Sequence, residues 1–205
     1  MPTPPTTTAL LIDFDGVLRR WPADDAALER DHGLPRGSLR EAAFDPRLLA
    51  ALVEGRIDDA AWRTQVALVL RDRHPAADVA GAVAQWSAGI GEIDRELLAV
   101  LDDCRVQRRV LVSNGSTRLR RDLAAHGLSD YFHAVVNSSE IGIAKPAAAF
   151  FAAALEAAAV RAGHTVFIDD SAGHVAAAEV LGLRAHRYLD VAGLRAFLRD
   201  GGLLT

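Results

Sequence analysis

Apolar residues cluster in four short runs, at 9–12, 110–112, 134–136 and 166–168. Each run stops at polar residues: Asp13, Ser113-Asn114-Gly115, Asn137-Ser138 and Asp169-Asp170 in turn. Runs of three or four apolar residues without alternation suit strands buried on both faces, as in a parallel sheet. Between the later runs the pattern turns helical, over about 117–127, 146–160 and 171–181. Strand alternating with helix predicts an α/β fold, a Rossmann-like doubly wound parallel sheet. Such sheets take ligands at the carboxyl ends of their strands. Those ends are where this chain sets its Asp, Ser and Asn residues.

No comparable strand run lies between Val17 and Arg109. A strand-to-helix connection normally spans about 2–6 residues, so this stretch must carry structure of its own. Its pattern predicts helices over roughly 24–31, 38–53, 58–72 and 76–87, and then 92–104 returning to the sheet. Trp62, Val66 and Val69 stand at i, i+4 and i+7, on one helical face. The expected organisation is an α/β core from 9–19 and 90–205, with an inserted helical cap over 20–89. Gly89 and Gly91 would supply a hinge. Residues 1–8, with three prolines and four threonines, read as a disordered tail.

Composition narrows the function classes. At 205 residues the chain suits one domain with an insertion, and half its residues are hydrophobic, enough for a real core. Twenty-three basic against 27 acidic residues leave a net charge of −4, which argues against nucleic-acid binding. A single cysteine, Cys104, excludes a disulfide framework and a Cys-rich zinc site, and it reads as a small core residue. The start lacks the basic and apolar regions of a secretory signal, and no apolar run approaches 18 residues. The expectation is a soluble, cytoplasmic protein with no membrane partner.

Four polar groups are candidates for chemistry. Asp13 and Asp15 stand at i and i+2, on one side of an extended chain. Two such carboxylates repel, so they need a cation or a raised pKa; they read either as a nucleophile with a general acid/base or as a solvated strand end. Asp169-Asp170 reads either as a magnesium site or as an acidic helix start capped by Asp170 or Ser171. Ser113-Asn114-Gly115 reads either as an anion site at a strand end or as an ordinary turn. Lys145 is the chain's one lysine beside 22 arginines. It marks a position that wants a compact point charge with three donors, and Pro146 then starts a helix.

Taken together these segments resemble the haloacid dehalogenase-like superfamily. Asp13-Phe14-Asp15-Gly16-Val17 is similar to its first motif, Ser113-Asn114-Gly115 to its second, Lys145-Pro146 to its third, and Phe167-Ile168-Asp169-Asp170-Ser171 to its fourth. The likeness continues in 127–132 and 176–183, and in Glu54-Gly55-Arg56-Ile57 leading to Trp62, which resembles the small helical caps between motifs one and two. The resemblance implies a magnesium-dependent phosphatase working through an aspartyl-phosphate. By it, Asp13 is the nucleophile and Asp15 the general acid and then base. Ser113, the Asn114 amide and Lys145 hold the transferring phosphoryl group. Mg²⁺ sits on Asp13, the Asp15 carbonyl and Asp170, with Asp169 behind them. The implied substrate is a small phosphorylated metabolite.

Three departures from that pattern stand out. Ala147 follows Lys145-Pro146 where Asp is frequent, and His174 stands where Asn is frequent. Arg19-Arg20-Trp21 after the first motif is unusually basic and aromatic, and reads either as a binder of an anionic or ring-bearing substrate or as a solvated hinge. Arg118, Arg120 and Arg121 read as a solvated helix face. A phosphomutase of the same fold is the main rival function. A 2-haloacid dehalogenase is disfavoured because those enzymes lack the acid that Asp15 supplies, and a non-catalytic binding protein is disfavoured by the intact set of polar residues.

Overall fold

The structure is a computed structural model that describes residues 9–204; the tail expected over 1–8 lies outside the described residues. In chain order the elements are β1 (Ala9–Ile12), β2 (Arg19–Arg20), α1 (Ala26–Asp31), α2 (Ser38–Ala43), α3 (Pro46–Val53), α4 (Asp59–Arg73), α5 (Val79–Ala88), β3 (Glu92–Ile93), α6 (Arg95–Asp103), β4 (Arg108–Ser113), α7 (Leu119–Ala125), β5 (Ala134–Asn137), α8 (Ser138–Ile141), α9 (Ala148–Ala158), β6 (Thr165–Asp169), α10 (Ala172–Val180), β7 (Arg184–Arg187) and α11 (Val191–Asp200).

The main sheet is parallel and runs β5-β4-β1-β6-β7. It is the doubly wound sheet expected from the alternating runs. Side chains alternate across its two faces. Leu10, Ile12, Leu111, Val166 and Ile168 pack on one side with α6, α7 and α11. Leu11, Val110, Val112 and Phe167 pack on the other with Phe150 and Phe151 of α9. β1 lies centrally, where the chain winds out to β4 and β5 and then back to β6. Register pairs Ile12 with both Leu111 and Ile168, so Asp13, Ser113 and Asp169 come out together at one edge.

The helices between β2 and β3 have a hydrophobic cluster of their own, with Leu39, Leu52, Trp62, Val66 and Leu70 buried in it. Trp62 and Val66 face inward as expected, Val69 packs partly buried against the same cluster, and Leu70 is fully buried beside it. The single helix expected over 38–53 is two, α2 and α3. Proline disfavours helical backbone in the residue before it, and Asp45 instead caps α3, accepting from Arg47 and Leu48 N–H at 3.0 and 3.1 Å. The helix expected from 92 starts at Arg95, because Glu92–Ile93 pairs antiparallel with Arg19–Arg20 and Asp94 caps α6. Among the described residues no helix is long and apolar enough to cross a membrane.

β7 and α11, like the short elements β2, β3 and α8, had no counterpart in the hydrophobic pattern. β7 is an edge strand that carries Arg184, His186 and Arg187, so it shows no apolar run. Its polar side chains find aromatic cover instead: His186 stacks on Phe197 of α11 at 4.6 Å, and Arg184 lies over the same ring at 4.5 Å. α11 comes next in the chain, burying Val191, Leu194 and Leu198 at helical spacing.

Candidate active site

Three strand ends and one loop build the site. Asp13 comes directly after β1, its N–H bonded to the Ile168 carbonyl at 2.9 Å. Ser113 ends β4 and Asp169 ends β6. Lys145 arrives from the loop between α8 and α9, its side chain fully buried. Its ammonium is 2.9 Å from Asp13 Oδ1 and 2.6 Å from Asp169 Oδ2, and it donates to the Val112 carbonyl at 3.0 Å. Three partners use all three N–H donors.

Burial opposes charge on Lys145, but Asp13 and Asp169 outweigh it, and the ammonium is held above its ordinary pKa. For Asp13 burial wins: the carboxyl is pushed up to about 7, although Lys145 pulls the other way. Asp169 is equally enclosed, but bonds from His174 and Lys145 overcome the burial and hold it below the usual carboxylate range. Asp170 is raised by burial and then by the charge on Asp169. One cation therefore faces a cluster of three acids, and Asp13 is the member that takes the strain.

The oxygens of these acids differ in what they have left to offer. Asp169 Oδ1 accepts from Ser171 N–H at 2.9 Å and faces His174 Nδ1 at 3.0 Å, while Oδ2 is held by Lys145. Asp13 Oδ1 accepts from Phe14 N–H at 2.7 Å as well as from Lys145. Asp13 Oδ2 and the Asp170 carboxylate stay available. His174, where Asn was the family expectation, is thus a bond donor that fixes Asp169. Ala147 gives α9 no side-chain cap, a loss of about 1 kcal/mol relative to an acidic or hydroxyl cap.

The donor set fits a hard divalent cation. Asp13, Asp169 and Asp170 each bring a carboxylate oxygen within 4.8 Å of the others. Gly16, at φ +83°, lets Asp170 come up against the Asp15-Gly16 backbone; a Cβ there would overlap Asp170 Oδ2. All-oxygen sites of this kind suit magnesium.

The loop after β4 is shaped by two asparagines. Asn114 Oδ1 accepts the Lys145 N–H at 2.8 Å, and Asn114 Nδ2 donates to the Lys145 carbonyl at 2.9 Å. The side-chain amide of Asn114 is therefore committed to the lysine loop, and its backbone N–H is the group left for an anion. Asn137, at the end of β5, donates to the Ser116 carbonyl at 2.9 Å and lies against Gly115, its buried Oδ1 unpaired. Its place beside the loop was not apparent from the sequence, where it reads only as a strand end.

Asp15 stands apart from the lysine cluster. Arg19 grips it with two bonds, Nε to Oδ1 at 2.7 Å and Nη2 to Oδ2 at 2.9 Å, and the Trp21 indole donates to Oδ1 at 2.6 Å. Arg19 is buried, not solvated as a hinge residue would be, and its guanidinium lies over the rings of Phe14 and Trp21 at 4.4 and 4.5 Å. Arg118 also departs from the solvated face expected for it. It is buried against Asp122, while Arg120 and Arg121 are exposed as expected. Arg20 pairs with Asp94 across the β2–β3 ribbon.

The helical insertion rests on the rim of this site. Asp59 of α4 accepts from Ser116 Oγ at 3.1 Å, and its N–H donates to Thr117 Oγ1 at 3.1 Å. Gly55, at φ +68°, passes so close to Ser139 that a Cβ would overlap the Ser139 carbonyl. Cys104 is buried in the sheet core, its thiol pushed up to about 11 by burial, in keeping with a packing role.

Comparison with known proteins gives the frame for this geometry. A predicted HAD-like family hydrolase from Porphyromonas gingivalis superposes with a TM-score of 0.71 at 22% identity, covering 95% of this chain and 98% of that one. A HAD family enzyme from Bacteroides thetaiotaomicron, solved in complex with magnesium and inorganic phosphate, gives the same score and identity over 91% and 98%. L-2-haloacid dehalogenase from Xanthobacter autotrophicus matches with a TM-score of 0.69 at 19% identity, over 98% and 85%. These likenesses show a shared fold. No curated protein matches the sequence. The family model for haloacid dehalogenase-like hydrolases matches residues 7–182, from before β1 to beyond α10, and the chain belongs to that family.

Proposed function

We propose that the protein is a magnesium-dependent phosphatase that hydrolyses a small phosphate monoester through an aspartyl-phosphate. The observation that carries this reading is the buried Lys145 ammonium bound to Asp13 and Asp169, which leaves Asp13 one free oxygen at the mouth of the strand ends. That oxygen attacks phosphorus, the bond to the leaving oxygen breaks, and Asp15 gives the leaving oxygen its proton. Asp15 then takes a proton from water, whose oxygen attacks the same phosphorus and releases inorganic phosphate and free Asp13. Ser113 and the Asn114 backbone N–H hold the phosphoryl oxygens. Lys145 balances charge, and it reaches a phosphoryl oxygen by exchanging one of its three present partners. Asp13, the Asp15 carbonyl and Asp170 would hold Mg²⁺, with Asp169 fixed behind them. Bound there, the metal would offset the negative charge that gathers on the phosphoryl oxygens and the neighbouring acids.

In this reading residues 20–89 are a cap on a core formed by 9–19 and 90–205, and the substrate is a phosphorylated metabolite small enough to fit beneath it. A dehalogenase has no use for a proton at Asp15, so the likeness to dehalogenases is read as one of fold. The test is phosphate release from a panel of sugar phosphates, nucleotides and phosphorylated cofactors, with and without Mg²⁺, for wild type and Asp13→Asn. Release by wild type alone, only with Mg²⁺, supports the reading. Halide release from 2-haloacids without phosphate release would replace it.

A further inference from the structure

Asp15 is held by a chain of buried charges that continues well beyond the site. Arg19 spends Nε and Nη2 on Asp15 and sends its remaining arm, Nη1, to Asp122 Oδ2 at 2.6 Å. Asp122 Oδ1 accepts from Arg118 Nε at 2.7 Å. Arg118 in turn donates Nη1 to the Ser87 carbonyl at 2.6 Å and Nη2 to the Gly89 carbonyl at 2.5 Å. The side chains of Arg19, Asp122 and Arg118 are 7%, 4% and 6% exposed, so solvent does little to screen the chain. Asp122 and Arg118 belong to α7 and its N-cap in the sheet core, whereas Ser87 lies in the last turn of α5 and Gly89 is its C-cap, where the chain turns back from the insertion toward β3. His126, at the other end of α7, bonds the Ile90 carbonyl at 3.0 Å, which fastens the same return segment once more.

From this connectivity we infer that Asp122 and Arg118 are positioning residues for Asp15, acting through Arg19, and that they tie the placement of Asp15 to the return segment of the insertion. The inference rests on the acid/base role proposed for Asp15. Among the described residues, neither Asp122 nor Arg118 bonds to Asp13, Lys145, Asp169 or Asp170. Their route to the chemistry is the guanidinium of Arg19, which two aromatic rings hold in plane. The bonds also fix which atom of Asp15 handles the proton. Oδ1 accepts from both Arg19 Nε and the Trp21 indole, which fills its two acceptor directions; Oδ2 accepts only from Arg19 Nη2. Oδ2 therefore keeps one open lone pair, the place where the carboxyl carries the proton it passes to the leaving oxygen and where it then takes one from water. A shift of Ser87–Gly89 would pull Arg118, then Asp122, then Arg19, and so turn Oδ2 toward or away from the substrate. The hinge expected at Gly89 is in this sense not free: its carbonyl is one end of the chain.

The alternative is that the four residues only weld the insertion to the core. The two roles separate in a double-mutant cycle, because residues that act through one another are non-additive. Asp122→Asn keeps the shape and removes the charge. If Asp122 acts through Asp15, kcat/KM, which reads phosphoryl transfer to Asp13 and not the later attack of water, falls about 10- to 100-fold on substrates with poor leaving groups. It changes little for an aryl phosphate with a good leaving group, and the loss disappears in an Asp15→Asn background. A loss that is equal for all leaving groups and multiplies with that of Asp15→Asn overturns the inference. Should Asp122→Asn fail to fold, Arg118→Lys retains the positive charge but cannot span Asp122 and two carbonyls, and is measured in the same cycle.

The link is also read without turnover, which separates it from the phosphatase reading itself. The Trp21 indole N–H resonance, identified by its absence in Trp21→Phe, reports the Asp15 carboxylate it bonds. Asp122→Asn should move that resonance in the substrate-free protein, as Asp15→Asn does. A resonance that moves with Asp15→Asn but not with Asp122→Asn overturns the link whatever the enzyme turns over. A link seen by resonance in a protein that releases no phosphate from any substrate overturns the catalytic purpose assigned to it.

Discussion

Asn114 and Lys145 are clasped side chain to backbone, with Asn114 Oδ1 accepting the lysine N–H and Asn114 Nδ2 donating to the lysine carbonyl, 31 residues apart in the chain. A lysine side chain is long and loses up to about 2 kcal/mol of rotamer freedom when fixed. The clasp fixes the backbone from which that side chain starts. Asn114→Ala leaves both backbone groups of Lys145 without these partners, which costs about 1–3 kcal/mol of stability. It should also lower kcat more than it raises KM, because Lys145 then spreads over positions that do not reach Asp13. Urea denaturation and steady-state phosphate release measure the two effects. Loss of stability with unchanged kcat would show that the clasp serves the fold alone.

The raised pKa of Asp13 predicts how metal binding varies with pH. A metal ligand must be deprotonated, and Asp13 holds its proton up to about 7 because it is buried. The apparent affinity for Mg²⁺ should therefore fall by about tenfold for each pH unit below 7 and level off above it. Asp170, raised by burial and by Asp169, adds to the slope at lower pH. The matching stability effect has the opposite sign. A carboxyl whose folded value exceeds its unfolded value of 3.8 stabilises the native state fully below 3.8, and that contribution is lost as pH rises through about 7. Metal-free protein should lose stability over that window, and protein saturated with Mg²⁺ should lose less. Titration calorimetry and thermal melts at pH 5, 6, 7 and 8 check both signs, with the pH values chosen to span about one to two units either side of the transition. An affinity that is flat over that range would mean Asp13 is already ionised.

Much of this was legible in the chain, and the reasons differ from element to element. β1, β4, β5 and β6 announced themselves because strands covered on both faces need continuous apolar runs. Each candidate acid or hydroxyl then stood immediately after such a run, so the parallel fold alone brings them to one edge. β7 was hidden because an edge strand covered by Phe197 tolerates Arg184 and His186. The break at Asp45-Pro46 was written in the sequence, but the apolar pattern on either side masked it. Arg118 was read as solvent-facing, and Arg19 as part of a substrate binder or a solvated hinge, because, among 22 arginines, one buried on a structural partner looks like any other. Their burial depends on Asp122, 103 residues from Arg19, and a partner at that separation is visible only once the chain is folded.

Gly55 tests the seating of the insertion. Its φ of +68° is costly for a residue with a side chain, by roughly 1–2 kcal/mol, and a Cβ would also meet the Ser139 carbonyl, a backbone atom that cannot swing aside. Gly55→Ala should lower the melting temperature by roughly 2–4 °C per kcal/mol lost. It should also raise KM, because the insertion lifts from α8 close to the loop that carries Lys145. A melting temperature and KM both equal to wild type would mean that Ser139 yields and the contact does not set the closure.

Lys145 gives the sharpest test, because the chain uses arginine everywhere else. Its Nζ lies at the meeting point of three acceptors that approach from different directions: Asp13 Oδ1, Asp169 Oδ2 and the Val112 carbonyl. A tetrahedral ammonium can serve all three. A planar guanidinium presents its donors in one plane and is larger, and the lysine side chain is already fully buried, with Phe167 beneath it at 5.8 Å. Lys145→Arg keeps the charge and still should fail, with kcat/KM down at least about a hundredfold, about 2.7 kcal/mol of transition-state stabilisation. Lys145→Met removes the charge and leaves two enclosed carboxylates unpaired, a loss of about 3–5 kcal/mol when one partner of a buried ion pair is deleted. Bound Mg²⁺ should restore part of that stability by supplying positive charge to Asp13. The measurements are kcat/KM for both variants and urea unfolding of Lys145→Met with and without Mg²⁺. If Lys145→Arg retains more than about a tenth of wild-type kcat/KM, a loss under about 1.4 kcal/mol, then charge alone suffices at this position and the three-way geometry around Nζ is not what the site requires.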